Sequence, residues 1–267
     1  MISGRTKVFA ILGQPVEHSL SPAMQNAAFR ALGLDAVYVA MPCAPGRVAN
    51  AMALLAAAGG GGNVTIPHKA EATAALTRRS PLVERVGAAN TFWGEDGALL
   101  GENTDVAGVE AALDQLDPPQ GPWLVAGTGG AARAVVAAAA NRGAGISVRS
   151  RDAGRRASFE QWATGLGVRV APMEECRVLI NATPLGLHEG DHLPLSSDEA
   201  PEAEVALDMV YAPRGTAWVR AMVKEGLRAA DGRTMLVAQG AAAFRHWFPS
   251  EDPPVEIMRA AVEDVLH

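Results

Sequence analysis

The feature that most constrains this chain lies near its middle. An apolar run, Trp123-Leu124-Val125-Ala126, leads directly into Gly127-Thr128-Gly129-Gly130-Ala131-Ala132, and an Ala-rich stretch from Ala131 to Asn141 follows. Strand, glycine turn and helix in that order, with Gly127, Gly129 and Ala132 at fingerprint spacing, match a dinucleotide-binding βα unit. The first glycine permits a tight turn, the second lets backbone approach a pyrophosphate, and the helix N-terminus offers free N–H groups to negative charge. A glycine-rich turn that binds nothing is the competing reading.

The next expected strand, Ile146 to Arg149, should end beside the adenosine ribose, where an acidic side chain would accept hydrogen bonds from free hydroxyls. This chain instead has Arg149-Ser150-Arg151-Asp152, with Arg155 and Arg156 one turn on. Guanidinium groups bind phosphate through paired hydrogen bonds, so the segment suits a 2′-phosphate, and with it NADP, better than NAD. Asp152 counts against this, and an ordinary solvated helix start is the alternative.

Around this core the chain alternates short apolar runs with Ala-rich stretches, the rhythm of an α/β protein. Strands are expected at Lys7 to Leu12, Val37 to Met41, Asn63 to Ile66, Ala89 to Trp93 and Ala98 to Leu100, the last two joined by the hairpin signal Glu95-Asp96-Gly97. Further strands are expected near Val168 to Val170, Val178 to Asn181 and Val205 to Met209. Helices are expected from Ser21, with a capping hydroxyl and Pro22 in the first turn, to Gly33. Others span about Gly46 to Ala58, Asp105 to Leu116, Met235 to Trp247 and Val255 to Leu266. The run Gly59-Gly60-Gly61-Gly62 reads either as a flexible loop or as backbone that must pass close to a ligand. A single α/β barrel is the alternative architecture, against which the mid-chain fingerprint and the hairpin both count.

With 267 residues, 49% hydrophobic and 19% charged, the chain is long enough for two ordinary globular domains. A net charge of -6 disfavours nucleic acid as a partner, because the cations needed to neutralise phosphates are lacking. No stretch reaches the ~18 uninterrupted apolar residues of a membrane span. Cys43 and Cys176 have neither zinc nor redox spacing, so no metal is expected and a reducing cytoplasm fits best.

A second constellation comprises Ser19, Ser21, Asn63, Thr65, Lys69, Asn90, Asn103, Thr104 and Asp105, all at or just beyond expected strand ends. In an open α/β sheet ligands bind at that edge. Hydroxyls and amides there suit a small polyhydroxylated carboxylate. Lys69 and Asp105 are the candidates for chemistry, since reducing a ketone by hydride requires a proton donor and a carboxylate can hold a lysine in place. A surface ion pair is the plain alternative.

At these residues the chain resembles the shikimate dehydrogenase family, over almost its whole length. Gly13-Gln14-Pro15-Val16-Glu17-His18-Ser19-Leu20-Ser21-Pro22 is similar to the family's opening motif, which implies that Ser19 and Ser21 bind the substrate carboxylate. Asn63-Val64-Thr65-Ile66-Pro67-His68-Lys69 resembles the motif of the catalytic lysine. Gly87-Ala88-Ala89-Asn90-Thr91 and Gly101-Glu102-Asn103-Thr104-Asp105 resemble those giving a substrate asparagine and the catalytic aspartate. Asn181-Ala182-Thr183-Pro184-Leu185-Gly186 and Asp208-Met209-Val210-Tyr211 are similar to segments lining the nicotinamide, with Tyr211 near the substrate. Gly232 and Gln239 match the glycine beside the nicotinamide and a glutamine that reaches the substrate.

The resemblance implies catalysis by Lys69 and Asp105, and substrate binding by Ser19, Ser21, Asn63, Thr65, Asn90, Tyr211 and Gln239. It implies NADP binding by Gly127, Gly129, Gly130, Ala131, Ser150, Arg151, Arg155, Thr183, Met209 and Gly232. It also implies two domains: a mixed α/β substrate-binding domain from residues 1–104 plus 236–267, and a Rossmann domain from 105–235, with the active site in a cleft able to close. The expected activity is reversible NADPH-dependent reduction of 3-dehydroshikimate to shikimate, in aromatic amino acid biosynthesis. A monomer and a homodimer both fit the sequence. Use of quinate or aminoshikimate, with NAD or NADP, is the nearest rival, and a non-catalytic nucleotide sensor the more distant one. Gln25 stands where the family usually has histidine, Thr128 replaces a small residue of the glycine loop, and Ser150-Arg151-Asp152 departs from the usual Asn-Arg-Thr.

Overall fold

The computed structural model describes residues 2–188 and 190–267. The chain forms two compact units, one running to Asp105 and resuming over Leu236–Val265, the other spanning Val106–Met235. The first contains β1 (Lys7–Gly13), α1 (Ser21–Ala31), β2 (Ala36–Pro42), α2 (Val48–Ala57), β3 (Gly61–Val64), α3 (Lys69–Ala75), β4 (Arg78–Arg79), α4 (Pro81–Val86), β5 (Thr91–Glu95) and β6 (Ala98–Glu102). Through the second run α5 (Asp105–Leu116), β7 (Trp123–Ala126), α6 (Gly130–Arg142), β8 (Ile146–Arg149), α7 (Ala153–Gly165), β9 (Val178–Asn181), β10 (Val205–Asp208), α8 (Ala217–Lys224) and β11 (Arg228–Ala230). Helices α9 (Arg233–Trp247) and α10 (Val255–Leu266) complete the chain.

The first sheet has the order β2-β1-β3-β5-β6-β4. Strands β1, β2 and β3 are parallel, whereas β5 runs antiparallel to both β3 and β6. The reversal is written in the Asp96-Gly97 turn, where both residues take positive φ, 50° and 75°, as a two-residue hairpin of this type demands. Alternation along β1 sends Ala10 and Leu12 into one core with α2, while Phe9 packs on the opposite face. There its ring lies 5.5 Å from Phe29 of α1 and 5.0 Å from Trp247 of α9. That aromatic cluster explains why the chain's penultimate helix docks on its first sheet.

The glycine run follows neither sequence reading. Gly61 and Gly62 are strand residues buried in β3, paired with Phe9 and Ala10 of β1. A Cβ on Gly62 would collide with the Ala10 carbonyl, and one on Gly61 would sit 2.5 Å from the Phe92 carbonyl oxygen. Gly60, Gly61 and Gly62 serve close approach between strands, and Gly59 supplies the positive φ of the turn before them. Three smaller expectations also change. Helix α1 starts at Ser21 itself with Leu20 as its cap residue and no side-chain cap, so Ser21 is not the capping hydroxyl. The expected strand at Val168 to Val170 reduces to one bridge between Ile146 and Val170. Strand β3 ends at Val64, ahead of Pro67.

In the second unit an all-parallel sheet has the order β11-β10-β9-β7-β8. The chain leaves β7 for β8 on one side and then crosses to β9 on the other, which makes the β7/β9 boundary the topological switch point of a Rossmann-type fold. Among the described residues no helix is long and apolar enough to cross a membrane.

Because β3 has no room for a methyl group, Gly62→Ala should lower folding stability by about 2 kcal/mol or more. Urea denaturation measures this directly, and a loss below about 0.5 kcal/mol would contradict the packing described.

Candidate active site

The carboxyl edge of the first sheet is assembled from strands of both directions. Strands β1, β3 and β6 end there, and because β5 is reversed its N-terminal end lies on the same edge, with Asn63 opposite Thr91 and Thr91 opposite Glu102. Loops from that edge carry Ser19, Thr65 and Asn90, and Ser21 opens α1. Lys69 opens α3 and Asp105 opens α5. A carboxylate in a helix's first turn is favoured by the unsatisfied N–H groups there.

Lys69 and Asp105 form an ion pair through Nζ and Oδ2, their side chains only 15% and 9% exposed. The second carboxylate oxygen, Oδ1, accepts a hydrogen bond of 2.9 Å from Asn90 Nδ2. Asn90 is itself fixed, because its Oδ1 accepts the Thr104 backbone N–H at 2.7 Å and its Nδ2 also reaches Thr104 Oγ1 at 3.0 Å. Thr91 and Thr104 hydroxyls lie 2.9 Å apart. Gln239, on α9, completes the group, with its Oε1 3.5 Å from Thr104 Oγ1 and its Nε2 bonded to Leu236 O at 2.9 Å. This is not the exposed ion pair that the sequence left open, for it is nearly buried and held on its acidic side by a second residue.

Asn63 reaches the same edge but its amide is occupied: Oδ1 accepts from Tyr38 Oη at 2.7 Å, and Nδ2 donates to Thr91 Oγ1 at 2.9 Å and Asn90 O at 3.3 Å. Ser21 is 2% exposed and its backbone N–H bonds Ser19 Oγ at 3.3 Å. Thr65 is partly exposed, its N–H held by Leu12 O at 2.9 Å. Gln25, the departure from the family's histidine, is buried and bridges α1 to α9 through a 3.0 Å bond to Gly240 O, beside Gln239.

In the second unit Gly127 directly follows β7 with a φ of 109°, and a Cβ there would sit 2.9 Å from the oxygen of Ala182, the residue after β9. The glycine loop therefore lies at the switch point. Helix α6 begins at Gly130 behind Gly129 with no side-chain cap, which leaves the first-turn N–H groups of Gly130 and Ala131 uncapped by a side chain. Such a terminus fits a dinucleotide pyrophosphate. Thr128 is half-buried beside it.

The basic cluster sorts itself. Arg149 pairs with Glu199 at 2.9 Å, and Asp152 caps α7, accepting from Arg155 N at 3.0 Å while facing Arg155 Nε at 3.6 Å. Asp152's charge is thus directed into a helix start. Arg151 is exposed and makes no ion pair among the described residues, and Ser150 adjoins it. Met209, Tyr211 and Thr183 leave the ends of β10 and β9, and Gly232 donates its N–H to Val210 O at 2.9 Å.

Sequence reasoning missed what holds these strand ends. Asp208 is fully buried, with Oδ1 accepting from Asn181 Nδ2 at 2.8 Å and Val210 N at 3.0 Å, and Oδ2 accepting from Thr216 Oγ1 at 2.7 Å. Asn181 Oδ1 in turn accepts both the N–H and the hydroxyl of Thr183, at 3.0 and 2.6 Å. Burial pushes the Asp208 carboxyl up to about 6 against these hydrogen bonds, with Asp231 adding to the rise. The signal was present as an acid ending an otherwise apolar strand, Val205-Ala206-Leu207-Asp208, where a charge must be answered by neighbours.

A Rossmann-type unit with a fitted glycine loop, in one chain with an α/β unit bearing a nearly buried lysine–carboxylate pair, defines the class: a two-domain nicotinamide-dependent oxidoreductase. Residues 11–92 match the shikimate dehydrogenase substrate binding domain, and residues 232–263 match the shikimate 5′-dehydrogenase C-terminal domain. Shikimate dehydrogenase (NADP(+)) of Trichormus variabilis is 39% identical, the alignment covering 100% of this chain and 99% of that one. Its counterpart from Thermus thermophilus is 40% identical over 90% and 91%. The crystal structure of a Thermus thermophilus shikimate 5-dehydrogenase in complex with NADP(H) and shikimate superimposes with a TM-score of 0.87 at 37% identity, covering 99% of each chain. Shikimate dehydrogenase from Aquifex aeolicus gives 0.89 at 31%, covering 99% of this chain and 100% of that one. This chain belongs to the shikimate dehydrogenase family.

The raised carboxyl of Asp208 carries a sign that can be measured. Its folded value of about 6 exceeds that of an unfolded aspartate, so the folded state binds the extra proton. The stabilisation is full below about pH 4 and is lost as pH rises through about 6. Relative to Asp208→Asn, the native protein should lose stability over that interval in urea titrations; a difference independent of pH would contradict the assignment.

Proposed function

We propose that this chain catalyses the reversible, NADPH-dependent reduction of 3-dehydroshikimate to shikimate, as its family membership implies. The observation that carries this reading is the Lys69–Asp105 pair, nearly buried at the sheet's carboxyl edge and braced by Asn90. NADPH, when bound, supplies the hydride that reduces the ring ketone. Lys69 Nζ gives a proton to the oxygen of the forming hydroxyl, and in the reverse direction the pair removes it. Asp105 accepts hydrogen bonds on both oxygens and so fixes where Nζ stands.

Ser19 and Ser21 take the substrate carboxylate, while Thr65, Gln239 and Tyr211 take its hydroxyls and Asn90, whose amide hydrogens are held by Thr104 and Asp105, lines the same site. In the second unit Gly127, Gly129, Gly130 and Ala131 hold the pyrophosphate, Thr183, Met209 and Gly232 border the nicotinamide, and Ser150, Arg151 and Arg155 meet the 2′-phosphate. Arg151 is the principal cation there, since Arg155 is drawn toward Asp152. The small-molecule substrate is turned over in the cytoplasm, in aromatic amino acid biosynthesis; the buried free thiols Cys43 and Cys176 suit that compartment.

Lys69→Ala should lower kcat by about 10²- to 10⁴-fold, the range of general acid–base catalysis, with a much smaller change in KM for shikimate. Steady-state kinetics decide the matter. A variant with native turnover and only a raised KM would show that the lysine merely binds.

A further inference from the structure

Tyr38 belongs to none of the motifs that carry the proposed activity, yet it is among the most deeply buried polar side chains near the site, only 1% exposed. It sits in the middle of β2, where Asn26 of α1 clamps its backbone: Tyr38 N donates to Asn26 Oδ1 at 2.9 Å and Tyr38 O accepts from Asn26 Nδ2 at 2.8 Å. Its ring packs 5.9 Å from that of Trp247. The hydroxyl is thereby aimed at two residues of the sheet's carboxyl edge. It donates to Asn63 Oδ1 at 2.7 Å, and the Ser21 side chain is its other hydrogen-bonding neighbour. Burial pushes the phenol well above its ordinary value, so it is a standing donor at any working pH.

We propose that Tyr38 is a positioning residue for the substrate site, orienting the Ser21 hydroxyl on one side and, through Asn63 and Thr91, the Thr104–Asn90–Asp105 cluster on the other. The inference rests on the reading of the site given above. It also reassigns Asn63: with Oδ1 bonded to Tyr38 and both Nδ2 hydrogens bonded to Thr91 Oγ1 and Asn90 O, its amide has no donor left for substrate, and it acts as a strut. The bonds form one continuous path, from Ser21 through Tyr38, Asn63 and Thr91 to Thr104, Asn90, Asp105 and Lys69.

The test combines calorimetric titration of shikimate with steady-state kinetics for the full-length protein, Tyr38→Phe, Ser21→Ala and the double variant. Tyr38→Phe should raise the shikimate Kd and KM about tenfold, the worth of one buried hydrogen bond, while kcat stays within about twofold and the KM for NADP is unchanged. Because Tyr38 acts on binding chiefly through Ser21, the double variant should bind less than about twofold more weakly than Ser21→Ala alone. Native shikimate affinity in folded Tyr38→Phe, fully additive effects, or an equal rise in the KM for NADP would each overturn the proposal. Should Tyr38→Phe fail to fold, Tyr211→Phe leaves Tyr38 as the sole tyrosine. Its ¹³Cζ resonance should then move on saturation with shikimate, and an unmoved resonance overturns the proposal. Wild-type protein that binds no shikimate would overturn the proposed function as well, whereas wild-type binding with an indifferent Tyr38→Phe overturns this inference alone.

Discussion

The hydrogen bonds from Asn90 to Thr104 and Asp105 are the interactions on which the rest of this site depends. They exist because one strand, β5, runs against its neighbours and delivers its N-terminal end to an edge otherwise built from strand C-termini. An all-parallel sheet could not place Asn90 there. Once there, Asn90 joins the loop before β5 to the start of α5, and Asp105, held on both oxygens, fixes Lys69. A lysine stem is flexible, and loss of that freedom must be offset. The preassembled acceptor does so before any substrate arrives.

The second unit uses the same device with different chemistry. Its strands end in a buried carboxylate, Asp208, whose two oxygens take three hydrogen bonds from Asn181, Val210 and Thr216. The side chain of Asn181 then holds Thr183. In both units a carboxylate at a strand end or helix start gathers neighbouring donors and turns loops into fixed geometry. The difference lies in the partners: Asp105 is paired with a cation, whereas Asp208 has only neutral donors, and burial raises the Asp208 carboxyl.

What could be read in the sequence follows from where physical constraints are local. The glycine loop was legible because Gly127 needs a positive φ that few residues tolerate, and the hairpin because Asp96-Gly97 satisfies a two-residue turn. Lys69, Asp105 and Asn90 were legible through motif resemblance, while the bonds joining them are tertiary. Tyr38 was not legible as a strut, since it looks like an ordinary strand residue until its partners, far along the chain, are known, whereas Asp208 left a signal as the acid ending an apolar strand. Gly61 and Gly62 of β3 misled because close strand approach and ligand approach demand the same missing side chain. Asp152 misled in the opposite sense: it read as a charge set against phosphate, and it is a helix cap. Short elements such as β4 and β11, of two and three residues, carry too little pattern to be seen at all.

The central claim is that these two units serve one reaction, hydride transfer between NADP and shikimate assisted by Lys69. The most direct measurement follows the nicotinamide absorbance of purified protein given shikimate or quinate, each paired with NADP or NAD. Rapid reduction of NADP by shikimate is the expected result, with the other three pairs much slower. Turnover confined to NAD would contradict the cofactor choice argued from Arg151, turnover confined to quinate would contradict the proposed substrate, and no turnover with any pair would contradict the assignment of the reaction.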